Sequence, residues 1–130
     1  MSTSNELTAL IVHNGLASGT ETEEAFEHAG WVVKNCAGPS FANCPLLRHE
    51  TCELRESADV AVVFVDPHLC APETRSLLRV RCAADSTSPG VVAIDGSIEP
   101  ERYAGGNAVI GSRRGPDAIV KTALSLIDPT

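Results

Sequence analysis

The 130-residue sequence is poor in aromatic residues and in positive charge. Aromatic side chains make up only 4% of the chain, so we expect a mostly aliphatic core. Lysine and arginine number 10 against 17 aspartates and glutamates, which gives a net charge of −7. A nucleic-acid-binding surface needs clustered basic side chains, but here only Arg113 and Arg114 are adjacent. The composition therefore argues against a nucleic-acid partner.

Other features are also missing from the sequence. The N-terminus is polar and carries no signal peptide, which predicts a cytoplasmic protein. The most apolar run, residues 60–65, is too short to span a bilayer, so no membrane partner is expected. We find neither an internal repeat nor a low-complexity tract. A single domain over residues 1–130 accounts for the length.

One strong strand pattern stands near the middle of the chain. Residues 60–65 are six apolar residues in a row, flanked by Asp59 and by Asp66-Pro67. A strand with one face in water would alternate apolar and polar residues. The unbroken run therefore predicts a central strand of a parallel sheet, almost fully buried between helices on both faces. Pro67 ends the strand because proline cannot donate to the ladder.

Four further apolar segments predict strands, and stretches that favour helices or turns separate them. These strands are expected at 7–12, 31–33, 91–94 and 108–110. Five strands alternating with helices predict an α/β, doubly wound five-stranded parallel sheet. In so short a chain this pattern favours the flavodoxin-like strand order 2-1-3-4-5.

Local patterns indicate where helices begin and end. Ser18 or Thr20, each followed three residues later by glutamate, could cap a first helix that runs to about His28 and is closed by Gly30. Pro116 suits the first position of a last helix. Two more helices are expected at 46–56 and 72–84, and one or two helical turns within 97–104.

Polar residues follow most of the predicted strands. The carboxyl ends of parallel strands lie at one edge of the sheet, where ligands bind. We therefore predict a small-ligand crevice at that edge, with Arg113 available for an anion. Its residues would be His13, Asn14, Asp66, Asp95, Ser112 and Arg113. The simpler alternative is that Asp66 and Asp95 cap helices or pair with Arg113.

Three of the five cysteines lie in the irregular stretch between the second and third strands. Cys36, Cys44, His49 and Cys52 offer thiolate and imidazole donors that suit zinc, but their spacing is not Cys-x₂-Cys. A Cys44–Cys52 disulfide is another alternative. Cytosolic thiols are usually reduced, so we favour thiols on a contact surface and keep a metal or thiol sensor as the alternative.

Three segments of the chain share one further pattern. Residues 10–14, Leu-Ile-Val-His-Asn, lead through the first predicted helix to residues 30–33, Gly-Trp-Val-Val, and residues 105–113 lead to residues 116–119, Pro-Asp-Ala-Ile. With the central strand, they resemble the receiver domain of bacterial response regulators over most of the chain, except 36–57 and the short stretch after Asp95. Receivers begin with an apolar strand ending in two aspartates, then a helix, then Gly-aromatic-x-Val at the same spacing. Their central strand is Pro-Asp-Leu-Val-Leu-Leu-Asp, and they end Gly-Ala-x-x-Tyr-Leu-x-Lys-Pro, then Pro-Glu-x-Leu.

The residues that carry receiver chemistry are replaced in this sequence. By the resemblance, His13 and Asn14 stand where two acids would hold Mg²⁺, and Phe64 stands at the phospho-acceptor position. Asp95 replaces the Thr or Ser after the fourth strand, and Ser112 replaces the lysine after the fifth. A phosphoryl group with neither metal nor lysine lacks the charge stabilisation that its transfer requires. The resemblance therefore implies a degenerate receiver, or pseudo-receiver.

A pseudo-receiver would be a regulatory protein and not an enzyme. It would act through a protein partner in signalling or through a small ligand, without a cofactor, and the sequence leaves a homodimer open. The alternative is a small-molecule or nucleotide-binding enzyme. Flavodoxin-like hydrolases and deoxyribosyltransferases have an Asp after an apolar strand and a Glu in the next helix, and Asp66 and Glu73 are similarly placed. Against this alternative, the chain has no glycine-rich phosphate loop.

Overall fold

The computed structural model describes residues 7–13, 17–37, 52–65, 82, 88–98, 102–104 and 107–127. Six strands lie within these ranges: β1 (Thr8–Val12), β2 (Val32–Cys36), β3 (Val60–Val65), β4 (Gly90–Ile94), β5 (Arg102–Ala104) and β6 (Asn107–Gly111). The helices of the same ranges are α1 (Ala17–His28), the short α2 (Glu53–Ser57) and α3 (Pro116–Ile127), with a 3₁₀ turn at Ser112–Arg114.

Five strands form a parallel sheet in the order β2-β1-β3-β4-β6. Counted along the chain without the short β5, this is the predicted order 2-1-3-4-5. The central strand is β3, which pairs with β1 on one side and β4 on the other. The flavodoxin-like α/β arrangement expected from the sequence is confirmed.

Strand β3 is buried along its whole length. Val62 and Val63 are both 0% exposed, and their side chains point to opposite faces of the sheet. Val62 belongs to an apolar cluster that includes α1 and α3, whereas Val63 belongs to a second cluster on the α2 face. Both faces of β3 are therefore covered, which explains why no polar residue interrupts 60–65.

The two apolar clusters are built from different parts of the chain. On the face covered by α1 and α3, Phe26 meets Trp31 edge-on, with ring centroids 4.9 Å apart, and Ile119 is fully buried in the same cluster. On the other face, Ala58 at the end of α2 and Cys82 pack under the sheet. No helix in the described ranges is long and apolar enough to cross a bilayer.

The expectation of helical turns within 97–104 is wrong for residues 102–104, which form strand β5. This strand is antiparallel to β6 and places Tyr103 opposite Ala108 and Ala104 opposite Asn107. Only Gly105 and Gly106 separate the paired strands in sequence, and a Gly-Gly pair is a common two-residue hairpin connection. Edge pairing thus outweighed the polar composition on which the helical prediction was based.

Most predicted helix ends agree with the structure. Helix α1 ends at His28, and Gly30 follows with a φ of +93°, a left-handed conformation that glycine adopts without strain. Helix α3 begins at Pro116 as expected. The capping prediction at the start of α1 is wrong, because α1 begins at Ala17 and both Ser18 and Thr20 lie inside it. The predicted helix at 72–84 lies outside the described residues, apart from Cys82.

Candidate functional site

The carboxyl ends of β4 and β6 bring together several of the predicted ligand-binding residues. Asp95 follows β4, and Ser112 and Arg113 follow β6, which is the neighbouring strand. The backbone N–H of Arg113 donates to the carbonyl of Ser97 at 2.9 Å, so the two loops are joined. Asn14 and Asp66 lie outside the described residues, and their place at this edge stays a prediction.

A small hydrogen-bond network fixes Asp95. Its Oδ1 accepts a hydrogen bond from the Ser18 hydroxyl at 2.6 Å and a longer one from the Ser112 hydroxyl at 3.4 Å. The backbone N–H of Gly96 donates to Ser112 Oγ at 2.9 Å. The network ties the first turn of α1 to the ends of β4 and β6. Among the described residues Asp95 therefore neither caps a helix nor forms an ion pair with Arg113.

Asp95, Ser112 and Arg113 line an open crevice of about 440 Å³ at this edge. Its opposite wall is the start of α1, which contributes residues that the sequence did not assign to the site. The remaining lining residues are Ala17, Ser18, Glu21, Gly96, Gly115 and Pro116. By sequence Ser18 is only a candidate helix cap, but its position inside α1 turns its hydroxyl towards Asp95.

His13 does not line this crevice. Its ring meets Phe64 edge-on, with centroids 6.1 Å apart and an interplanar angle of 70°. Its Nε2 lies 3.3 Å from Glu23 Oε2, although the two atoms are not aligned as a hydrogen bond. The side chain of His13 is only 8% exposed. His13 is thus part of a tight contact between β1, β3 and α1.

The His13 ring also explains a glycine in the first turn of α1. A Cβ atom added to Gly19 would overlap the carbon atoms of the His13 ring, so the ring or the helix would have to move. Glycine is unfavourable inside a helix by about 1 kcal/mol relative to alanine. Here it is the residue that lets the imidazole lie against the helix backbone.

A buried arginine is the main polar residue that could not be found from the sequence. Arg55 in α2 is 1% exposed and donates to neutral oxygens of a distant part of the chain. Its Nε donates to the carbonyl of Cys82 at 2.5 Å, and its two terminal nitrogens donate to the hydroxyl and the carbonyl of Ser88. These bonds attach α2 to the chain that enters β4.

Burial also affects the pKa of Arg55. Desolvation lowers the pKa of its guanidinium below the ordinary value, and the nearby Cys82, Glu56 and Cys52 oppose that shift. Arginine keeps its charge at neutral pH even so. The group is therefore a permanently charged side chain held inside the protein, and no sequence pattern around it predicted its burial.

The predicted metal residues are only partly covered by the structure. Cys36 and Cys52 are half-buried thiols that pack against the apolar cluster on the α2 face, which also contains the buried thiol of Cys82. Cys44 and His49 lie outside the described residues. Within the described ranges no group of three metal-donor side chains is present. The zinc site and the Cys44–Cys52 disulfide both stay predictions, because each needs Cys44.

Comparisons with protein families, with curated proteins and with solved structures give no match for this chain. The geometry of the described residues is therefore the basis for inferring what the protein does.

Proposed function

We propose that this protein is a receiver-like regulatory protein without phosphotransfer chemistry, which acts through a protein partner or a small ligand. The contact between His13 and Phe64 is the observation that carries the proposal. By the resemblance described above, these residues stand at a metal-ligand position and at the phospho-acceptor position of a receiver.

The chemistry of the His13–Phe64 contact is unsuited to phosphoryl transfer. A receiver needs carboxylates at these positions, one to hold Mg²⁺ and one to accept the phosphoryl group. Here an imidazole packs edge-on against a phenyl ring, and Phe64 is only 3% exposed. A phenyl ring has no atom that can accept a phosphoryl group. The packed pair therefore supports a role in contact or binding and not in phosphoryl transfer.

The position of the receiver's lysine supports the same proposal. Ser112 stands there, with its hydroxyl bonded to the N–H of Gly96 and directed at Asp95. A lysine ammonium would neutralise the charge that develops on a transferred phosphoryl group, and a neutral hydroxyl supplies no such charge. The hydroxyl instead helps to join β4 to β6.

Exposure to a small phosphodonor tests the proposal. We expect that incubation with acetyl phosphate and Mg²⁺ leaves the intact mass of the protein unchanged, under conditions that fully label a conventional receiver. A phosphate adduct that is absent from Asp66→Asn would identify Asp66 as an acceptor and would end the pseudo-receiver assignment. An adduct that persists in that variant would do so too, since another residue would then accept the phosphoryl group.

The ligand branch of this proposal is favoured by the crevice between α1 and the end of β6. Its volume of about 440 Å³ is in the range of small-molecule sites, which start near 300 Å³. Both Glu21 and Arg113 are exposed on its walls, so charged groups are accessible to a ligand.

A further inference from the structure

The two walls of the crevice carry opposite charges that do not neutralise each other. Glu21 lines the crevice from α1, and Arg113 lines it from the 3₁₀ turn after β6. Each is exposed, and no ion pair joins them within the described part of the chain. A molecule that fits between them could contact both charges.

Asp95 adds a second carboxylate whose orientation is fixed. Its Oδ1 is held by the hydroxyls of Ser18 and Ser112. Among the described residues no hydrogen bond reaches its Oδ2. A side chain that is anchored through one oxygen loses little entropy when the other oxygen accepts a hydrogen bond from a ligand. The acidic part of the crevice is therefore partly organised in advance.

We propose that the crevice binds a small zwitterion, with its ammonium end against Glu21 and Asp95 and its carboxylate end against Arg113. This inference rests on the ligand branch of the proposed function. A simple anion is attracted by Arg113 but repelled by the two carboxylates, and a simple cation is attracted by the carboxylates but repelled by the arginine. A zwitterion is attracted at both ends, because its charges match those of the two walls.

Arg113 is the cationic group of the carboxylate end among the described lining residues. Arginine can present its charge to a carboxylate as a two-pronged donor. The neighbouring start of α3 offers no free N–H from its lining residues, because the Gly115 N–H donates to Ser112 and Pro116 has none. Asp117 also places a carboxylate in the first turn of α3.

A series of amino acids of increasing length tests the site and measures its span. The full chain would be titrated with glycine, β-alanine, γ-aminobutyrate and 6-aminohexanoate, and backbone amide shifts followed by NMR. Methylamine and acetate are the matched half-ligands. We expect at least one zwitterion to bind about tenfold or more tightly than either half-ligand, with shifts centred on Gly96, Arg113 and Gly115.

Charge-neutral variants connect that binding to the two walls. Glu21→Gln and Arg113→Gln should each weaken the zwitterion about fivefold or more, because each removes one of the matched charges. Glu24→Gln and Arg114→Gln are the controls. Each substitution removes the same charge as its crevice counterpart, but Glu24 and Arg114 are exposed residues outside the crevice lining. They should change the affinity by less than about twofold.

Three results would overturn the zwitterion site. They are the absence of saturable shifts with any member of the series, half-ligands that bind as well as zwitterions, and control variants that weaken binding as much as the crevice variants. None of these results would alter the pseudo-receiver proposal. Conversely, labelling by acetyl phosphate would end that proposal and leave a measured zwitterion site in place.

Discussion

Arg55 and Arg113 belong to the same chain, yet their side chains differ in exposure and in hydrogen bonding. Arg55 is 1% exposed, and all three of its guanidinium nitrogens donate to oxygens of Cys82 and Ser88. Arg113 is exposed at the rim of the crevice. Its backbone N–H donates to the carbonyl of Ser97, and its guanidinium is accessible to solvent. One guanidinium joins two parts of the protein, and the other is accessible from outside.

The difference shows how burial decides the role of a charged side chain. A buried cation costs several kcal/mol unless every donor is satisfied, so its partners must be held in place and it becomes part of the fold. An exposed cation costs almost nothing to maintain and contributes little to stability. Its charge remains available to a ligand. We therefore assign Arg55 to folding, and the proposal for the crevice gives Arg113 a role in binding.

The largest effect is expected when Arg55 is truncated. Arg55→Ala removes at least the three hydrogen bonds to Cys82 and Ser88, at about 1 kcal/mol net each, so we expect at least about 3 kcal/mol of lost unfolding free energy. Urea denaturation followed by circular dichroism measures this loss. Arg55→Lys should recover only part of it, because an ammonium cannot reproduce the forked geometry.

Arg113→Ala is the matched control for the Arg55 variant. It should change the unfolding free energy by less than about 0.5 kcal/mol, as is usual for an exposed residue. The assignment of the two arginines would be wrong if Arg113→Ala were the more destabilising change. It would also be wrong if Arg55→Ala were tolerated without loss.

An intermediate effect is expected for Gly19→Ala. The added Cβ would clash with the His13 ring, so the ring must leave its position against Phe64. Overpacking of this kind costs about 1–3 kcal/mol. Thermal or chemical denaturation would measure the lost unfolding free energy, and the NMR amide shift of His13 would change.

A double-mutant cycle separates the clash from helix propensity. In a His13→Ala background, Gly19→Ala should no longer destabilise, and it should gain a little because alanine favours the helix. A loss of the same size in both backgrounds would contradict the packing of His13 against Gly19.

The smallest effect is expected for Ser18→Ala, which removes one hydrogen bond to Asp95. Its expected cost is about 1 kcal/mol, since the bond is partly buried and Asp95 keeps contact with water. Ser57→Ala removes an exposed hydroxyl bonded to its own helix and should cost less than about 0.5 kcal/mol. Equal losses for the two variants, measured by urea denaturation, would show that the Ser18–Asp95 bond adds no stability.

The backbone arrangement could be predicted from the sequence because it depends on apolar patterns. The run at 60–65 indicated burial on both faces, and β3 is buried on both faces. Pro116 and Gly30 marked helix ends through their own backbone preferences, and the structure agrees. Strand β5 was missed, because three residues are too short for a periodic pattern and their pairing depends on β6.

The side-chain networks could not be predicted in the same way. Arg55 meets Ser88 across 33 residues, and Ser18 meets Asp95 across 77. No local pattern in the sequence carries information on contacts at that separation. Asp95, Ser112 and Arg113 were found because strand ends share an edge, whereas Glu21 reaches the same crevice from a helix.

The antiparallel pairing of β5 with β6 bears on whether this edge of the sheet can pair with another copy of the chain. A parallel sheet that ended at the five-residue strand β6 would leave the backbone groups on its outer side unpaired and open to another chain. Strand β5 covers part of that row and is itself only three residues long. Very short edge strands give another chain too few backbone partners for stable pairing, which is one of the ways in which proteins avoid aggregation.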